Sequence, residues 1–282
     1  MSQPQIVLPD SLANASSRRG TPRIVGYRAA AHVYGLDGVP GLHPEFLVPH
    51  GTWRRTQFDH QRRRLEDIEF VEVEGGLITT VRQTLGDLCA VVPLDIVERA
   101  AESALRMNLV EEMELRDFAA LFAFSRHGTP GLRDVLDRRP IGAPPTGSDL
   151  ETMCLQAFRL DPAIPVPQRQ WPVVDPDGNF VAFGDFGFPP WSFVVETDGL
   201  ETHKTVEQLQ YDTDRQNRIW TAGTHLRRFT YRHVTRSPRY VCRETLNGLR
   251  TAPLLPRKTS PRSAIEVVNR YERLVHPFLE RV

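Results

Sequence analysis

Acidic residues stand at the ends of two consecutive apolar runs in the second half of the chain. Asp185 ends one run, Glu196 and Asp198 end the next, and His203 follows shortly after. Charged groups at the ends of buried strands are costly unless something offsets their charge. A divalent cation is one such partner, and carboxylate oxygens with water are the ligands that Mg²⁺ prefers. The pattern therefore raises the hypothesis of a magnesium site formed by Asp185, Glu196 and Asp198.

This set of residues suits the hydrolysis of a phosphodiester. A bound cation polarises the phosphoryl group and lowers the pKa of an attacking water. His203 could serve as general acid, as general base or as a hydrogen-bond donor to phosphate, because the pKa of histidine lies near neutral pH. Glu151 lies on the helix predicted before these strands, and its carboxylate could pack against the same edge of the sheet that the strands form. The candidate catalytic residues are Glu151, Asp185, Glu196, Asp198 and His203.

Basic residues follow the carboxylates. A polar helix carries Asp212, Asp214, Arg215 and Arg218, and the segment after it is rich in arginine. Arginine contacts phosphate oxygens without reading base sequence, so arginines beside a metal site are consistent with cleavage of nucleic acid. The side chains expected to bind nucleic acid, with DNA as the expected partner, are Arg215, Arg218, Arg228 and Arg232.

Each of these features also has a simpler interpretation. An Asp-Gly pair such as Asp198-Gly199 is common in turns, a glutamate at a strand end is usually solvated, and His203 suits a surface or capping position. The helix with alternating Asp and Arg is equally an exposed, ion-paired face. The basic segment 52–64 is either a solvated loop or a phosphate-contacting patch. The metal hypothesis depends on the acidic residues, His203 and the arginines occurring together in this order.

The elements that must position these residues are predicted from periodicity and turn chemistry. Ser148 with Glu151 three residues later has the spacing of a helix capping box. A strand pair joined by a Pro-Asp-Gly turn, a third apolar strand and a long polar helix follow. The predicted order is α-β-β-β-α-β-α, which allows a mixed sheet flanked by helices. The strands and helices are expected at 148–159, 168–174, 180–188, 192–196, 206–222, 225–231 and 238–249.

The first half of the chain is predicted to be mainly helical, with strands at 45–49 and 67–73. One helix is expected through Val92 because Val81, Leu85 and Leu88 share a face, and Pro93 ends it and begins the next. We therefore expect an α/β protein, α+β overall, with two domains. The predicted parts are a flexible arm (1–22), a helical domain (23–138), a Pro/Gly-rich linker (139–147), an α/β domain (148–250), and a linker with a C-terminal helix (251–282).

Composition excludes several classes of protein. The formal net charge of the 282 residues is zero, so any binding to nucleic acid must come from local patches. No apolar run is long enough for a transmembrane helix, and the polar N-terminus lacks the apolar segment of a secretory signal. The cysteines, at positions 89, 154 and 242, are too far apart in sequence to indicate a zinc site or a disulfide framework. A reducing cytoplasm is the expected compartment.

Residues 148–232 resemble the endonuclease-like domain related to very-short-patch mismatch-repair endonucleases, within the PD-(D/E)xK nuclease superfamily. The motifs that carry the resemblance are Ser148-x-Leu150-Glu151, Asp185-Phe186, Val194-Val195-Glu196-x-Asp198-Gly199-x3-His203, Asp214-Arg215-x-x-Arg218 and Gly223-x-x-Leu226-x-Arg228-Phe229.

The resemblance implies a restriction-endonuclease-like fold and a Mg²⁺-dependent endonuclease. It implies Asp185 and Glu196 as metal ligands, Asp198 as a third ligand, Glu151 as a helper carboxylate and His203 as acid or base. The chain departs from the superfamily at one position: Asp198 stands where the lysine is expected, two residues after the acidic strand residue.

Residues 24–138 resemble the helical region that precedes this domain in actinobacterial proteins described as type IV abortive-infection antitoxins, which are AbiEi-like. The motifs are Gly26-x-x-Ala29-Ala30-x4-Gly35-Leu36 and Gly76-Leu77-x-Thr79-Thr80-x-Arg82-x-Thr84-Leu85-x-Asp87-Leu88. This resemblance implies a toxin partner. It also implies the alternative function, a non-catalytic antitoxin or transcriptional regulator that keeps a nuclease-like fold.

Overall fold

The computed structural model of the chain describes residues 6–16, 23–41, 44–51, 59–62, 67–121, 129–199 and 205–254. The chain divides into two compact units, Met1–Pro145 and Thr146–Val282. The boundary falls inside the predicted linker 139–147. However, Arg139 is buried and pairs with Glu102 at 2.7 Å and with Glu112 at 3.2 Å, so the first residue of that segment belongs to the first unit.

Helices supply most of the core of the first unit. Thr80 caps the helix that begins at Val81 by accepting a hydrogen bond from the backbone nitrogen of Gln83, and Pro93 stands immediately before the helix that begins at Leu94. The buried side chains of Leu85, Leu88 and Val97 then join these two helices in one core. The helices are α1 (Asp10–Ser16), α2 (Tyr27–Val33), α3 (Val81–Leu88), α4 (Leu94–Arg106), α5 (Glu112–Leu121) and α6 (Thr129–Asp137).

A five-stranded sheet completes the first unit. Its order is β3-β2-β1-β5-β4, with β1 parallel to β5 and antiparallel to β2. The sequence pattern indicated β2 and β4 but not the remaining strands, because β1 has only two residues and β3 is entirely polar. The strands are β1 (Ile24–Val25), β2 (Phe46–Pro49), β3 (Asp59–Arg62), β4 (Phe70–Val73) and β5 (Gly76–Thr79).

The predicted flexible arm at 1–22 is wrong for residues 6–16. Leu8 donates its backbone N–H to the carbonyl of Glu74, and α1 follows immediately. Leu8 and Leu12 are 3% and 1% exposed within the core. These few apolar side chains bury enough surface to order a segment whose composition is otherwise polar.

The second unit follows the predicted order of elements, with one additional short helix, α9. Ser148 caps its first helix by accepting a hydrogen bond from the backbone nitrogen of Glu151, as the capping-box spacing predicted. The elements are α7 (Asp149–Phe158), β6 (Gln168–Val174), β7 (Phe180–Gly187), β8 (Phe193–Asp198), α8 (Val206–Thr221), β9 (His225–Thr230), α9 (Tyr231–Arg236) and α10 (Pro238–Thr251). The predicted C-terminal helix lies outside the described residues.

The sheet of the second unit is mixed. Its order is β6-β7-β8-β9, in which β6, β7 and β8 are antiparallel neighbours and β9 runs parallel to β8. A parallel pair needs a crossover, and α8 provides it. Helices and mixed sheets together confirm the α+β class.

Successive residues of β8 face opposite sides of this sheet. Phe193 and Val195 pack into a core that includes side chains of α7 and α10, whereas Val194 packs with Trp171 and with Ile219 of α8. Side chains alternate along a strand, so Glu196 follows Val194 to the α8 side. The acidic end of β8 is therefore separated from α10 by the sheet.

Candidate functional site

Asp185 is held between β7 and β8 at the point where their ladder ends. The ladder pairs Gly187 with Val194 and Phe186 with Val195. Beyond it, Oδ2 of Asp185 accepts hydrogen bonds from the backbone nitrogen of Thr197 at 2.7 Å and from its hydroxyl at 2.9 Å. The carboxylate thus serves as the acceptor for a strand N–H, which fixes its position.

Glu196 is buried beside two arginines. Its side chain is 6% exposed, with Nη1 of Arg215 2.6 Å from Oε1 and Nε of Arg228 3.7 Å from Oε2. Neither Oε1 of Glu196 nor Nε of Arg228 makes a well-oriented hydrogen bond with the described residues. These contacts are therefore ion pairs held by charge. Arg215 also donates to the carbonyl of Phe183, which anchors α8 to β7.

Asp198 shares one of these arginines. Its Oδ1 lies 2.5 Å from Nη2 of Arg228, and both side chains are partly exposed, at 32% and 25%. Asp198 and Glu196 are two residues apart on β8, so they lie on the same side of the strand. The predicted strand ended at Glu196, but β8 continues through Asp198, and Asp198 is a strand residue rather than part of a turn.

The carboxylates of Glu196, which is buried, and of Asp185, which is partly buried, are poorly stabilised as anions. Burial raises the pKa of Asp185, although hydrogen bonds from Thr197 and the charge of Arg215 oppose the rise. Burial also raises the pKa of Glu196, where Arg215 opposes the shift and the charge of Asp185 adds to it. The charge of one guanidinium, that of Arg215, opposes the rise at both carboxylates. Added positive charge, either a proton or a cation, would stabilise this pair.

Glu151 has a local role in the structure. Its Oε2 accepts a hydrogen bond from the backbone nitrogen of Gly147 at 2.7 Å and from the amide of Gln170 at 3.3 Å. The hydroxyl of Ser148 donates to the other oxygen at 3.3 Å. These bonds place its carboxylate in the cap of α7.

One buried thiol links α7 to the site. Burial raises the pKa of Cys154 well above its usual range, and the charges of Asp185 and Glu151 add to the shift. Asp185 and Glu151 therefore both act electrostatically on Cys154, one from β7 and one from the cap of α7.

The structure brings together Asp185, Glu196 and Asp198 with Arg215 and Arg228. Arg218 and Arg232 are exposed and make no ion pair with the described residues, so they lie outside this cluster. His203 lies outside the described residues. Sequence reasoning missed Thr197, because a threonine within a strand is ordinary and nothing in its neighbours marks its contact with Asp185.

A metal ion would have to use two carboxylates here. Within the described ranges, no group of three or more His, Cys, Asp or Glu side chains is arranged to hold a metal. Mg²⁺ commonly uses only one or two carboxylates and takes its other ligands from water and substrate phosphate. Oε1 of Glu196 already pairs with Arg215 at 2.6 Å, whereas Oε2 has only the distant Nε of Arg228 at 3.7 Å, and among the described residues Asp185 uses only Oδ2 for its bonds to Thr197. Oε2 of Glu196 and Oδ1 of Asp185 are therefore the oxygens that would bind a cation, and two carboxylate oxygens with water fit Mg²⁺.

Comparison with other proteins does not assign the chain to a family. No protein-family model, curated protein or solved structure matches it. Over the described part of the chain, no helix has both the length and the apolar character needed to cross a membrane.

Proposed function

We propose that the second unit is a restriction-endonuclease-like domain that binds nucleic acid, with DNA as the expected substrate, and hydrolyses phosphodiester bonds with Mg²⁺. One observation carries this proposal: two carboxylates with raised pKa values, those of the buried Glu196 and the partly buried Asp185, are both acted on by Arg215, and Glu196 also lies beside Arg228. Anionic groups that repel each other in a buried site are expensive, and a bound cation offsets that cost. Perturbed carboxylates of this kind cluster at functional sites.

The chain's own residues have separate roles in this scheme. Thr197 holds Asp185 in place through two hydrogen bonds to Oδ2. Arg215 and Arg228 are partly exposed, so each can contact a phosphate oxygen while remaining near Glu196. Mg²⁺, when bound by Asp185 and Glu196, would polarise the phosphoryl group and lower the pKa of an attacking water.

Arg228 supports the nuclease-like interpretation in a second way. The resemblance places a lysine on the acidic strand at the position that Asp198 occupies in this chain. Arg228, on the neighbouring strand, places its guanidinium 2.5 Å from the carboxylate of Asp198. We therefore propose that a cation from β9 replaces the lysine expected on β8.

The test is cleavage of supercoiled plasmid by the purified full chain, with and without Mg²⁺. We expect nicking that requires the metal and falls at least about 100-fold in Asp185→Asn and Glu196→Gln, because these substitutions remove anionic ligands. Asp214→Asn is the matched control, since Asp214 is an exposed carboxylate on α8 that accepts a hydrogen bond from Gln210 of the same helix. Equal activity in all three variants would refute the assignment of the site. A single-stranded RNA substrate in parallel tests the preference for DNA.

The second candidate is a non-catalytic binding module, such as an antitoxin or regulator that keeps the fold. A specific observation favours it: Glu196 and Asp198 already pair with arginines of the same chain, so part of their charge is offset without a metal. Calorimetry with Mg²⁺ and Mn²⁺ separates the two candidates. Absence of metal binding together with retained binding to DNA or to a partner toxin would favour the module.

A further inference from the structure

A polar cavity lies on the other side of the same sheet from the carboxylates. It has a volume of about 540 Å³ and is formed by the turn that follows α7 and one face of α10. This volume is within the range of small-molecule sites. Glu196 faces α8, whereas α10 packs on the face that carries Phe193 and Val195. The cavity is therefore separate from the carboxylate site, and an inference from it does not rest on the proposed function.

Arginines dominate the lining of this cavity. Arg239, Arg243 and Arg250 all line it, opposed by the single carboxylate of Asp161. The three arginines share one face of α10 and span about 16 Å of the helix. Arg243 lies 3.3 Å from Glu244, but Arg239 and Arg250 make no ion pair with the described residues. The cavity therefore has an excess of positive charge, and two of its guanidinium groups are available to an anion.

The rest of the lining suits an organic group attached to that anion. Leu160 and Leu246 contribute apolar surface, and Leu160 is 59% exposed although it adjoins the cavity. Asp161 and Asn247 add a hydrogen-bond acceptor and an amide. Within the described part of the chain, Asp161 uses only Oδ1, which accepts from the backbone nitrogen of Ala163. A flat ring with hydrogen-bond donors could pack on the leucines and donate to Asp161.

We infer that this cavity binds a nucleoside phosphate. Arg239, Arg243 and Arg250 contact the phosphate, and the base packs against Leu160 and Leu246. Inorganic anions would use the arginines but not the apolar surface, and an uncharged nucleoside would leave the arginines unmatched. The ligand is either a free nucleotide or one nucleotide of a single strand, since both carry the same groups.

The experiment is isothermal titration calorimetry with the full chain in EDTA, which removes any contribution of a metal at the carboxylate site. The probes are adenosine triphosphate, adenosine, pyrophosphate and a short oligodeoxyadenosine. We expect the triphosphate to bind more tightly than pyrophosphate and adenosine not to bind measurably. Binding of the oligonucleotide alone would assign the site to a strand, and binding of the triphosphate as well would assign it to a free nucleotide.

Variants locate the binding. Arg239→Gln and Arg250→Gln should each weaken binding about tenfold or more, because each removes a charge-assisted contact to phosphate. Arg236→Gln is the matched control, since Arg236 is an exposed arginine of α9 that does not line the cavity. Leu160→Ser should weaken the binding of adenosine triphosphate but leave the binding of pyrophosphate unchanged. The inference fails if no phosphate probe binds, if pyrophosphate binds as tightly as the triphosphate, or if the cavity variants match the control.

Discussion

Arg228 is aligned with Glu196 across the β8–β9 ladder, yet its guanidinium lies closest to Asp198. The Cα register pairs Arg228 with Glu196, while Nη2 is 2.5 Å from Oδ1 of Asp198 and Nε is 3.7 Å from Oε2 of Glu196. A single side chain therefore compensates two carboxylates, one buried and one half-exposed. Arg215 supplies the second positive charge from α8.

Removing Arg228 should destabilise the second unit. Arg228→Met keeps much of the length but leaves Glu196 and Asp198 with one guanidinium between them. We expect a loss of about 1–3 kcal/mol in the free energy of unfolding, less than for a fully buried pair because Arg228 is partly exposed. Urea denaturation in EDTA measures it. Arg227→Met is the control, since the only hydrogen bond of the Arg227 side chain among the described residues goes to the carbonyl of Leu226. Equal losses of unfolding free energy in Arg228→Met and Arg227→Met would show that the ion pairs of Arg228 do not stabilise the fold.

Neutralising Asp185 should change how stability depends on pH. Its pKa is raised by burial, so the folded state binds a proton more tightly than the unfolded state does. The charge of Asp185 therefore lowers stability above its folded pKa, and this penalty disappears as the pH falls towards the unfolded value. Asp185→Asn keeps an oxygen acceptor for Thr197 and removes the charge. We expect it to be more stable than wild type at pH 8 in EDTA, and the difference to shrink by pH 4. A variant that is less stable at pH 8 would contradict this prediction.

Glu45 in the first unit should show the opposite dependence. It is 2% exposed, and it accepts hydrogen bonds from Arg28 at 2.7 Å and contacts Nε2 of His60 at 3.2 Å. Burial alone would raise its pKa, but the bonds from His60 and Arg28 outweigh burial and lower the pKa to about 2. Its contribution is therefore present above the unfolded pKa and is lost as the pH falls towards 2.

Glu45→Gln tests this contribution. The variant should lose about 2–3 kcal/mol at pH 7 and should lose less additional stability than wild type between pH 5 and pH 2. Thermal or urea unfolding of the first unit at several pH values measures the difference. A parallel pH profile in the variant and wild type would rule out the assigned role of the Glu45 carboxylate.

Gly187 leaves room for the indole of Trp171. A Cβ atom at this position would lie 2.1 Å from Cγ of Trp171, so Gly187→Ala forces the indole or β7 to move. We expect a loss of about 1–3 kcal/mol, as for other overpacked positions. Gly199→Ala is the control, because a Cβ atom there would have no neighbour within 4 Å among the described residues and the backbone needs no glycine. Measured by urea denaturation, the unfolding free energy of Gly199→Ala should stay within about 0.5 kcal/mol of wild type.

The second unit was more predictable than the first for a physical reason. Its strands are apolar runs bounded by turn residues, and Ser148 and Gly223 mark helix ends through capping and a positive φ of 74°. In the first unit, β1 has two residues and β3 is the polar Asp59–Arg62, so neither has a periodic signal. Those strands form because the sheet around them pairs their backbones.

The candidate site was predictable only as a set of residue types. The order of Asp185, Glu196 and Asp198 indicated a cluster, and the structure brings them together. The spacing of Ser148 and Glu151 predicted the helix cap and the resemblance implied a helper role for Glu151, and the hydrogen bonds of its carboxylate in the structure belong to the cap. The pattern did not indicate which arginines would reach the carboxylates. Arg215 and Arg228 do so because β9 lies beside β8 and α8 covers that face, a consequence of topology.

The hydrogen bonds from Thr197 to Asp185 affect how related sequences should be interpreted. Because Oδ2 of Asp185 completes the pairing of two strands, an aspartate there is useful to folding even in a protein that cleaves nothing. The carboxylate of Glu196 makes no comparable backbone contact with the described residues, and it repels its neighbour. A lineage that lost catalysis would keep an oxygen acceptor at position 185, as aspartate or asparagine, and would be free to replace Glu196 with a neutral residue of another shape. Position 196 should therefore vary more widely than position 185 among inactive members.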